Sequence, residues 1–292
     1  MLYYLLRLAT IVLPWIPAWL RAYLGIGIGT FAWCIASKAR AQANKNIRHV
    51  FGQESLKTRQ GRRKLRRTVR RMFQHNVRNY IEVCVLMHYT PARHKQITTE
   101  SGFEHIEAGL ARGKGIIAFT AHYGPFDNIV QSAALHNYDV TVPVEALKNQ
   151  RLLDLMLRLR GSQGINFVPL GSPSTLRAII QKLKSNKIVV LTADRGSQGQ
   201  KSSVPFFDAS AELPNGAVTL AQRTGADLIG AFAIRTSLTR IQLFCVPITA
   251  NMTEEQRKDT TYVSRKVSET MEYFIRAHPE QWLAFTPIWP EG

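Results

Sequence analysis

Short apolar runs alternate with amphipathic segments through the second half of the chain. Predicted buried strands cover residues 115–121, 140–144, 165–169 and 187–193. Helical periodicity falls between and after them, over 125–136, 149–160, 174–185 and 214–224, and a long loop precedes the last of these helices. A hairpin is predicted over 226–235 and 240–249, followed by one long helix over 253–277 that Thr253 caps. This order predicts an α/β fold with a mixed, mostly parallel central sheet flanked by helices.

The N-terminal segment follows a different pattern. Residues 2–36 are mostly apolar, but Arg7, Pro14, Pro17 and Arg21 interrupt them. The uninterrupted run 22–37 is shorter than the about 20 residues that cross a bilayer comfortably. We expect residues 1–37 to form membrane-anchoring helices, embedded or interfacial, with a break near the two prolines. A buried helix of a soluble core is the alternative.

Positive charge is concentrated directly after this segment. The 292-residue chain has a net charge of +18, and residues 38–71 hold 13 Lys or Arg and one acid, Glu54. An amphipathic helix with a cationic first half is predicted over 56–88, within a basic helical part spanning 38–90. An anionic membrane, nucleic acid or solvent alone could face this charge. The membrane is favoured because no recognisable nucleic-acid module accompanies the charge.

The sequence "FTAHYGPFDN" (119–128) supplies the candidate chemistry. His122 ends a predicted strand, and Asp127 falls in the first turn of the next helix, with Gly124 as its expected N-cap and Pro125 at its first position. The spacing alone says little, because His49 and Glu54 repeat it. The strand–turn–helix context distinguishes His122, since strand ends of open α/β sheets are where ligands bind.

A histidine beside a carboxylate can remove the proton from an attacking hydroxyl group. The carboxylate fixes the imidazole tautomer and stabilises the imidazolium that forms. No serine or cysteine lies in a nucleophile-elbow pattern, which favours direct attack by the substrate. The alternative is a satisfied core histidine and an Asp127 that only caps its helix. Cys34, Cys84 and Cys245 are widely spaced and predict neither a disulfide framework nor a metal site.

Several segments together resemble a known family. "AHYGPFDN" is similar to the HX4D/E motif of the glycerolipid and glycolipid acyltransferases, and in particular of the lipid A lauroyl/myristoyl acyltransferases and the related phosphatidylinositol mannoside acyltransferases. The further similar segments, in chain order, are "NKNIRHVFG" (44–52), "RGSQGINFVPL" (160–170), "LTADRGSQGQKSSVPFFD" (191–208), "PNGAVTLAQRTGADLI" (214–229) and "HPEQWLAF" (278–285). The resemblance extends over nearly the whole chain.

The resemblance implies an acyltransferase domain over 38–292. Its implied reaction moves a fatty acyl group from acyl carrier protein or acyl-CoA to a glycolipid hydroxyl, at the cytoplasmic face of the membrane and with no further cofactor. His122 is the implied general base and Asp127 its orienting carboxylate. Arg160 and Asp194 match positions of the family's active site and are the implied substrate-binding residues. Arg195, next to Asp194, is a further substrate-binding candidate as a phosphate contact, and a surface salt bridge is its alternative. The alternatives are a glycerophospholipid acyltransferase and a non-catalytic basic protein that binds membrane or nucleic acid.

Two features distinguish this chain from the lipid A branch. Asp127 stands where the lipid A enzymes generally have glutamate, and "QWLAFTPIWPEG" lacks their usual basic ending. The shorter carboxylate resembles the mannoside-acylating and the broader acyltransferase branches. Both features argue against lipid A as the acceptor, so the acceptor is open at this point.

Overall fold

A mixed seven-stranded sheet forms the centre of the part of the chain that the structure describes, and its strand order is β1-β9-β8-β2-β5-β3-β4. The structure is a computed structural model that describes residues 2–145, 149–170, 173–196 and 200–289. The strands are β1 (Thr98–Ser101), β2 (Ile116–Thr120), β3 (Val140–Val144), β4 (Asn166–Pro169), β5 (Ile188–Thr192), β6 (Lys201–Phe206), β7 (Ala209–Pro214), β8 (Asp227–Arg235) and β9 (Ile241–Pro247).

Only the β8–β9 pair of this sheet is antiparallel among the described residues, so the predicted fold class is confirmed. Strands β6 and β7 form a separate antiparallel hairpin. The helices are α1 (Leu2–Val12), α2 (Ala18–Ile35), α3 (Ser37–Phe51), α4 (Gln53–Leu56), α5 (Arg59–Val83), α6 (Pro91–Ile97), α7 (Glu104–Ala111), α8 (Asp127–Leu135), α9 (Gln150–Arg160), α10 (Pro173–Lys184), α11 (Gly216–Thr224), α12 (Glu254–Lys258) and α13 (Thr260–Ala277).

Three sequence expectations about these elements were wrong. The long loop expected before α11 contains the β6–β7 hairpin. Strand β1 was not predicted at all. The single helix expected over 253–277 is two helices, because Asp259 accepts a hydrogen bond from the Tyr262 amide at 3.0 Å and starts a new helix. Thr253 does cap the first of them, in a capping box with Gln256.

Both faces of the sheet are covered. Along β2, Ile117 and Phe119 belong to the apolar cluster on one face, and Ile116 and Ala118 to the cluster on the other. Every residue of this strand is buried. Alternate side chains therefore enter separate cores, as a mostly parallel sheet requires. Because both faces are covered, a ligand is expected at the carboxyl ends of β2 and its neighbouring strands.

The N-terminal helices pack through small residues and expose large ones. The predicted break at the prolines is present, as a 3₁₀ turn over Leu13–Trp15 between α1 and α2. Gly25 and Gly29 of α2 lie directly against α5, and a Cβ on Gly29 would stand 2.5 Å from the Cα of Gln74. Thirteen of the 18 exposed large apolar side chains in the described part of the chain lie between Tyr4 and Ile35. By length and composition α2 could cross a membrane.

The helix predicted over 56–88 is α5, which Thr58 caps by accepting from the Gly61 amide. Its apolar stripe is buried, whereas the basic residues of its first half are exposed. We call this surface the basic face of α5, and it comprises Arg59, Arg62, Arg63, Lys64, Arg66, Arg67, Arg70 and Arg71. The charge is thus displayed beside the helices that expose apolar residues.

Candidate active site

Two neighbouring parallel strands end side by side at the candidate site. Strands β2 and β5 pair in register up to Thr120 and Thr192, and the Ala193 amide donates to the Thr120 carbonyl at 2.8 Å. His122 and Asp194 each follow two residues after these paired strand ends. The sheet therefore brings together two residues that are 72 positions apart in the sequence.

His122 contacts the carboxylate of Asp194. Nδ1 of His122 lies 2.9 Å from Oδ1 of Asp194, and the indole Nε1 of Trp282 donates to Oδ2 at 3.0 Å. The Asp194 side chain is fully buried, whereas 24% of the His122 side chain is exposed. Burial alone would raise the pKa of Asp194, but His122, Arg195 and the Trp282 hydrogen bond together hold it below its ordinary value.

This geometry defines the tautomer of a neutral His122. An ionised carboxylate can only accept hydrogen bonds, so Nδ1 carries the proton that faces Asp194. Nε2 then carries the free lone pair of the ring, in a side chain that is 24% exposed. Such an imidazole can accept a proton from a bound hydroxyl group, and the buried negative charge behind it favours the cation that results.

Asp127 has a different partner. Nε of Arg160 lies 2.9 Å from Oδ1 of Asp127 as a charge contact, and Nη2 donates to Oδ2 at 3.3 Å. Burial raises the pKa of Asp127, although the positive charge of Arg160 opposes that rise. The two carboxylates at the site therefore have pKa values shifted in opposite directions.

The local structure around Asp127 agrees with the sequence only in part. The expected first-turn position is correct, since α8 begins at Asp127. The expected N-cap was wrong, because Phe126 rather than Gly124 precedes the helix. The Phe126 ring lies near two functional groups. Its centroid is 5.9 Å from the centroid of the His122 ring and 5.7 Å from the Arg160 guanidinium carbon.

The loop that carries His122 is fixed by hydrogen bonds to two distant parts of the chain, residues 281–283 and α5. The Leu283 amide donates to the His122 carbonyl at 2.8 Å, and the Gly124 amide donates to the Gln281 carbonyl at 2.8 Å. From α5, Asn79 Nδ2 donates to the Gly124 carbonyl at 2.6 Å. Gly124 has a φ of +57°, and a Cβ there would lie 1.9 Å from the Ala233 carbonyl oxygen. Only glycine fits this turn without strain.

The remaining sequence candidates lie around this centre. Arg195 is half-buried, and its charge acts on Asp194. His49 of the repeated spacing instead contacts Asp208 and stacks on Trp289, while Glu54 pairs with Lys57. Within the described ranges, no three His, Cys, Asp or Glu side chains are grouped as a metal site.

Two contributors were absent from the sequence prediction. Trp282 holds the second oxygen of Asp194, and Asn79 holds the His122 loop. Trp282 lies in "HPEQWLAF", a segment that the resemblance had included without a role. The role of Asn79 has no sign in the sequence, because a polar residue on an amphipathic helix ordinarily faces solvent.

Comparison with known proteins extends these observations. The sequence model of the bacterial lipid A biosynthesis acyltransferase family matches residues 1–290. Phosphatidylinositol mannoside acyltransferases from two Mycobacterium tuberculosis strains are 26% identical over 190 residues, which cover 64% of this chain and 58% of theirs. The enzyme of that name from Mycolicibacterium smegmatis is 28% identical over 128 residues, 43% of this chain and 42% of its own. The matched region thus covers 58% of the length of the two Mycobacterium tuberculosis relatives and 42% of that of the Mycolicibacterium smegmatis relative.

Proposed function

The chain belongs to the bacterial lipid A biosynthesis acyltransferase family, and we propose that it transfers a fatty acyl group from an acyl thioester to a hydroxyl group of a glycolipid. The observation that carries this proposal is the contact of half-buried His122 with fully buried Asp194 at the ends of two parallel strands. A sheet edge of this kind is where an α/β fold binds its ligand.

His122 acts as general base in the proposed reaction. Its Nε2 takes the proton of the acceptor hydroxyl as the hydroxyl oxygen attacks the thioester carbonyl carbon. The ester C–O bond forms, the C–S bond breaks, and the departing thiolate takes the proton back from the imidazolium. Asp194 fixes the tautomer and stabilises the imidazolium charge.

Asp127 and Arg160 act as a second unit. Their mutual contact supports a role for Asp127 in holding the Arg160 guanidinium next to the Phe126 ring. From there Arg160 is available to an anionic or hydroxyl-rich substrate group. Asp127 consequently orients Arg160 in this proposal, and Asp194 takes the orienting role that the sequence had assigned to Asp127. Arg195 contributes positive charge near the same carboxylate.

A sugar hydroxyl is the proposed acceptor. The relatives matched here are phosphatidylinositol mannoside acyltransferases, and the aspartate at position 127 also resembles that branch. For the donor, acyl carrier protein and acyl-CoA are both anionic, and the basic face of α5 suits either of them.

We further propose that the protein lies on the cytoplasmic face of the cytoplasmic membrane. The apolar side chains exposed on α1 and α2 support contact with lipid, and the adjacent basic face supports attraction to anionic headgroups. An interfacial position suits α2 better than a span does, because Gly25 and Gly29 hold it against polar residues of α5, Arg78 and Gln74. The basic residues after 37 favour the cytoplasmic side.

Purified protein with vesicles and a labelled acyl thioester tests the proposal. His122→Gln should reduce acyl transfer by about 10²- to 10⁴-fold, the usual contribution of a general base. His49→Gln, the matched control from the repeated spacing, should transfer at nearly the wild-type rate. Vesicle binding should be unchanged in both variants. Undiminished transfer by His122→Gln would exclude the mechanism, and no transfer by the wild-type protein to any glycolipid would favour a non-catalytic role.

A further inference from the structure

A cleft beside the candidate active site collects positive charge. It lies between α2, α5, α6 and the turn that joins β8 to β9. Four arginines line it, namely Arg21, Arg78, Arg93 and Arg235, and we call it the arginine cleft. Glu82 is the only carboxylate among the described residues that line it.

The charges in this cleft are not balanced. Glu82 is one carboxylate among four arginines: it accepts from Arg235 at 2.6 Å, and its charge also acts on Arg78. Arg78 donates to the main-chain carbonyl of Leu238, and Arg93 donates to the side-chain oxygen of Gln96. Arg21 likewise donates to main-chain carbonyls, those of Leu13 and Ile16. Three arginines of one cleft therefore donate only to uncharged acceptors in the hydrogen bonds found within the described chain.

Arg78 is the least satisfied member of this set. It is 6% exposed, and its buried Nε has no hydrogen-bond partner. Burial, reinforced by the nearby charge of Arg235, lowers the pKa of Arg78 to about 9. A buried guanidinium with a free donor is costly unless an anion completes it.

We propose that the arginine cleft binds the phosphate group of a membrane lipid. Several guanidinium groups around one cavity are suited to phosphate, whose oxygens accept several charge-assisted hydrogen bonds at once. The lipid origin follows from α2, which forms one wall through Ala18 and Ala22. On the same turns of α2, Trp19 and Tyr23 are more than half exposed. Such aromatic rings prefer the headgroup level of a bilayer, which places phosphates next to Arg21.

The cleft is linked to the His122 loop through one side chain. Asn79 Oδ1 accepts from Nη2 of Arg235 at 3.0 Å, and Asn79 Nδ2 donates to the Gly124 carbonyl. A lipid held by these arginines would therefore lie close to the catalytic loop. The binding proposal itself does not depend on acyltransferase activity, and binding alone tests it.

Calorimetric titration of the full chain in a neutral detergent tests the site. The probes are dihexanoyl phosphatidic acid, used as a monomer, and inorganic phosphate. Arg93→Gln is the main variant, because Arg93 is only half-buried, and Arg78→Gln is the second. Arg223→Gln on α11 removes the same charge from an exposed position outside the cleft and outside the basic face of α5, and it is the matched control. Melting temperatures identify any variant that fails to fold.

Wild-type protein should bind the short-chain lipid, and Arg93→Gln should weaken that binding by about tenfold or more, the loss expected for one charge-assisted contact. Arg223→Gln should bind as the wild-type protein does. Equal weakening in Arg223→Gln, or unchanged binding in folded Arg93→Gln and Arg78→Gln, would overturn the site. Inorganic phosphate that binds as tightly as the lipid would overturn the lipid assignment.

Discussion

His122 and Asp194 occupy equivalent positions on neighbouring parallel strands. Each residue follows two positions after a paired threonine, Thr120 or Thr192, and the two side chains meet at 2.9 Å. Their contact is therefore a property of the strand register, since both residues directly follow paired strands. Preorganisation of this kind is what a general base and its orienting carboxylate require.

Asp194→Asn should impair acyl transfer more than Asp127→Asn does. The asparagine amide can present a donor to Nδ1, which favours the tautomer with its proton on Nε2 and removes the charge that stabilises the imidazolium. We expect kcat to fall by about 10²- to 10⁴-fold. Steady-state kinetics with a soluble acyl thioester would measure this loss.

Asp127→Asn is the matched carboxylate control for that comparison. Because Asp127 contacts Arg160, its substitution should act mainly on KM, through a less fixed guanidinium. A larger fall in kcat for Asp127→Asn than for Asp194→Asn would restore Asp127 as the orienting carboxylate of His122.

The sequence contained a sign of this pairing that spacing arguments overlook. "FTAH" at 119–122 and "LTAD" at 191–194 share the same Thr-Ala step before the polar residue. The apolar runs predict both strands, but whether the two strands are neighbours depends on the strand order in the sheet. In that order β5 lies between β2 and β3, so these two strands, which are successive in the chain, do not pair. Non-local pairing of this kind leaves no local periodicity to read.

Other errors have equally physical causes. The β6–β7 hairpin is obscured in the sequence because Pro205 and Pro214 lie in its strands, and proline disfavours a strand. The alternation that buries Val204 and Phe206 from one strand, and Ala211 and Leu213 from the other, was nonetheless present. Strong local signals, such as the apolar runs and the basic amphipathic helix, gave most of the fold. Tertiary partners such as Asn79 had no local signature.

Gly124→Ala should destabilise the protein strongly and abolish transfer. The alanine backbone would have to keep a positive φ, and its Cβ would overlap the Ala233 carbonyl oxygen. Gly113→Ala is the matched control, because Gly113 has a φ of +73° with open space around it. Backbone strain alone should cost about 1–2 kcal/mol. Urea unfolding should show a clearly larger loss for Gly124→Ala, and equal losses would show that the contact with Ala233 relaxes at no cost.

Acid should remove the contribution of Asp194 to stability. The pKa of Asp194 in the folded protein lies below its ordinary value of 3.8, so the folded state binds its proton less readily than the unfolded state. The stabilisation is complete above that ordinary value and is lost as pH falls through the folded pKa. The difference in unfolding free energy between wild type and Asp194→Asn should therefore be constant near neutrality and shrink below pH 3.8.

Asp127 should show the opposite trend in the same experiment. Its pKa is raised in the folded protein, mainly by burial, so its ionisation disfavours folding at neutral pH. As pH falls through the raised pKa, wild type should gain stability relative to Asp127→Asn. Denaturant titrations between pH 3 and 7 would measure both differences, and parallel trends for the two variants would contradict the opposite pKa shifts.

Thiol labelling should separate the three cysteines and locate the membrane contact. Cys84 and Cys245 are buried, and burial raises their pKa values to about 11 and about 12, so neither should react at pH 8 before unfolding. Cys34 is exposed on α2 and should react readily in the free protein. If the outer side of α2 contacts lipid, anionic vesicles should slow alkylation of Cys34 by a charged reagent several-fold.

Ser203→Cys in a Cys34→Ser background gives a control thiol on the exposed side of β6, and it should react at the same rate with and without vesicles. Undiminished Cys34 reactivity in protein that sediments with the vesicles would mean that another surface holds the membrane.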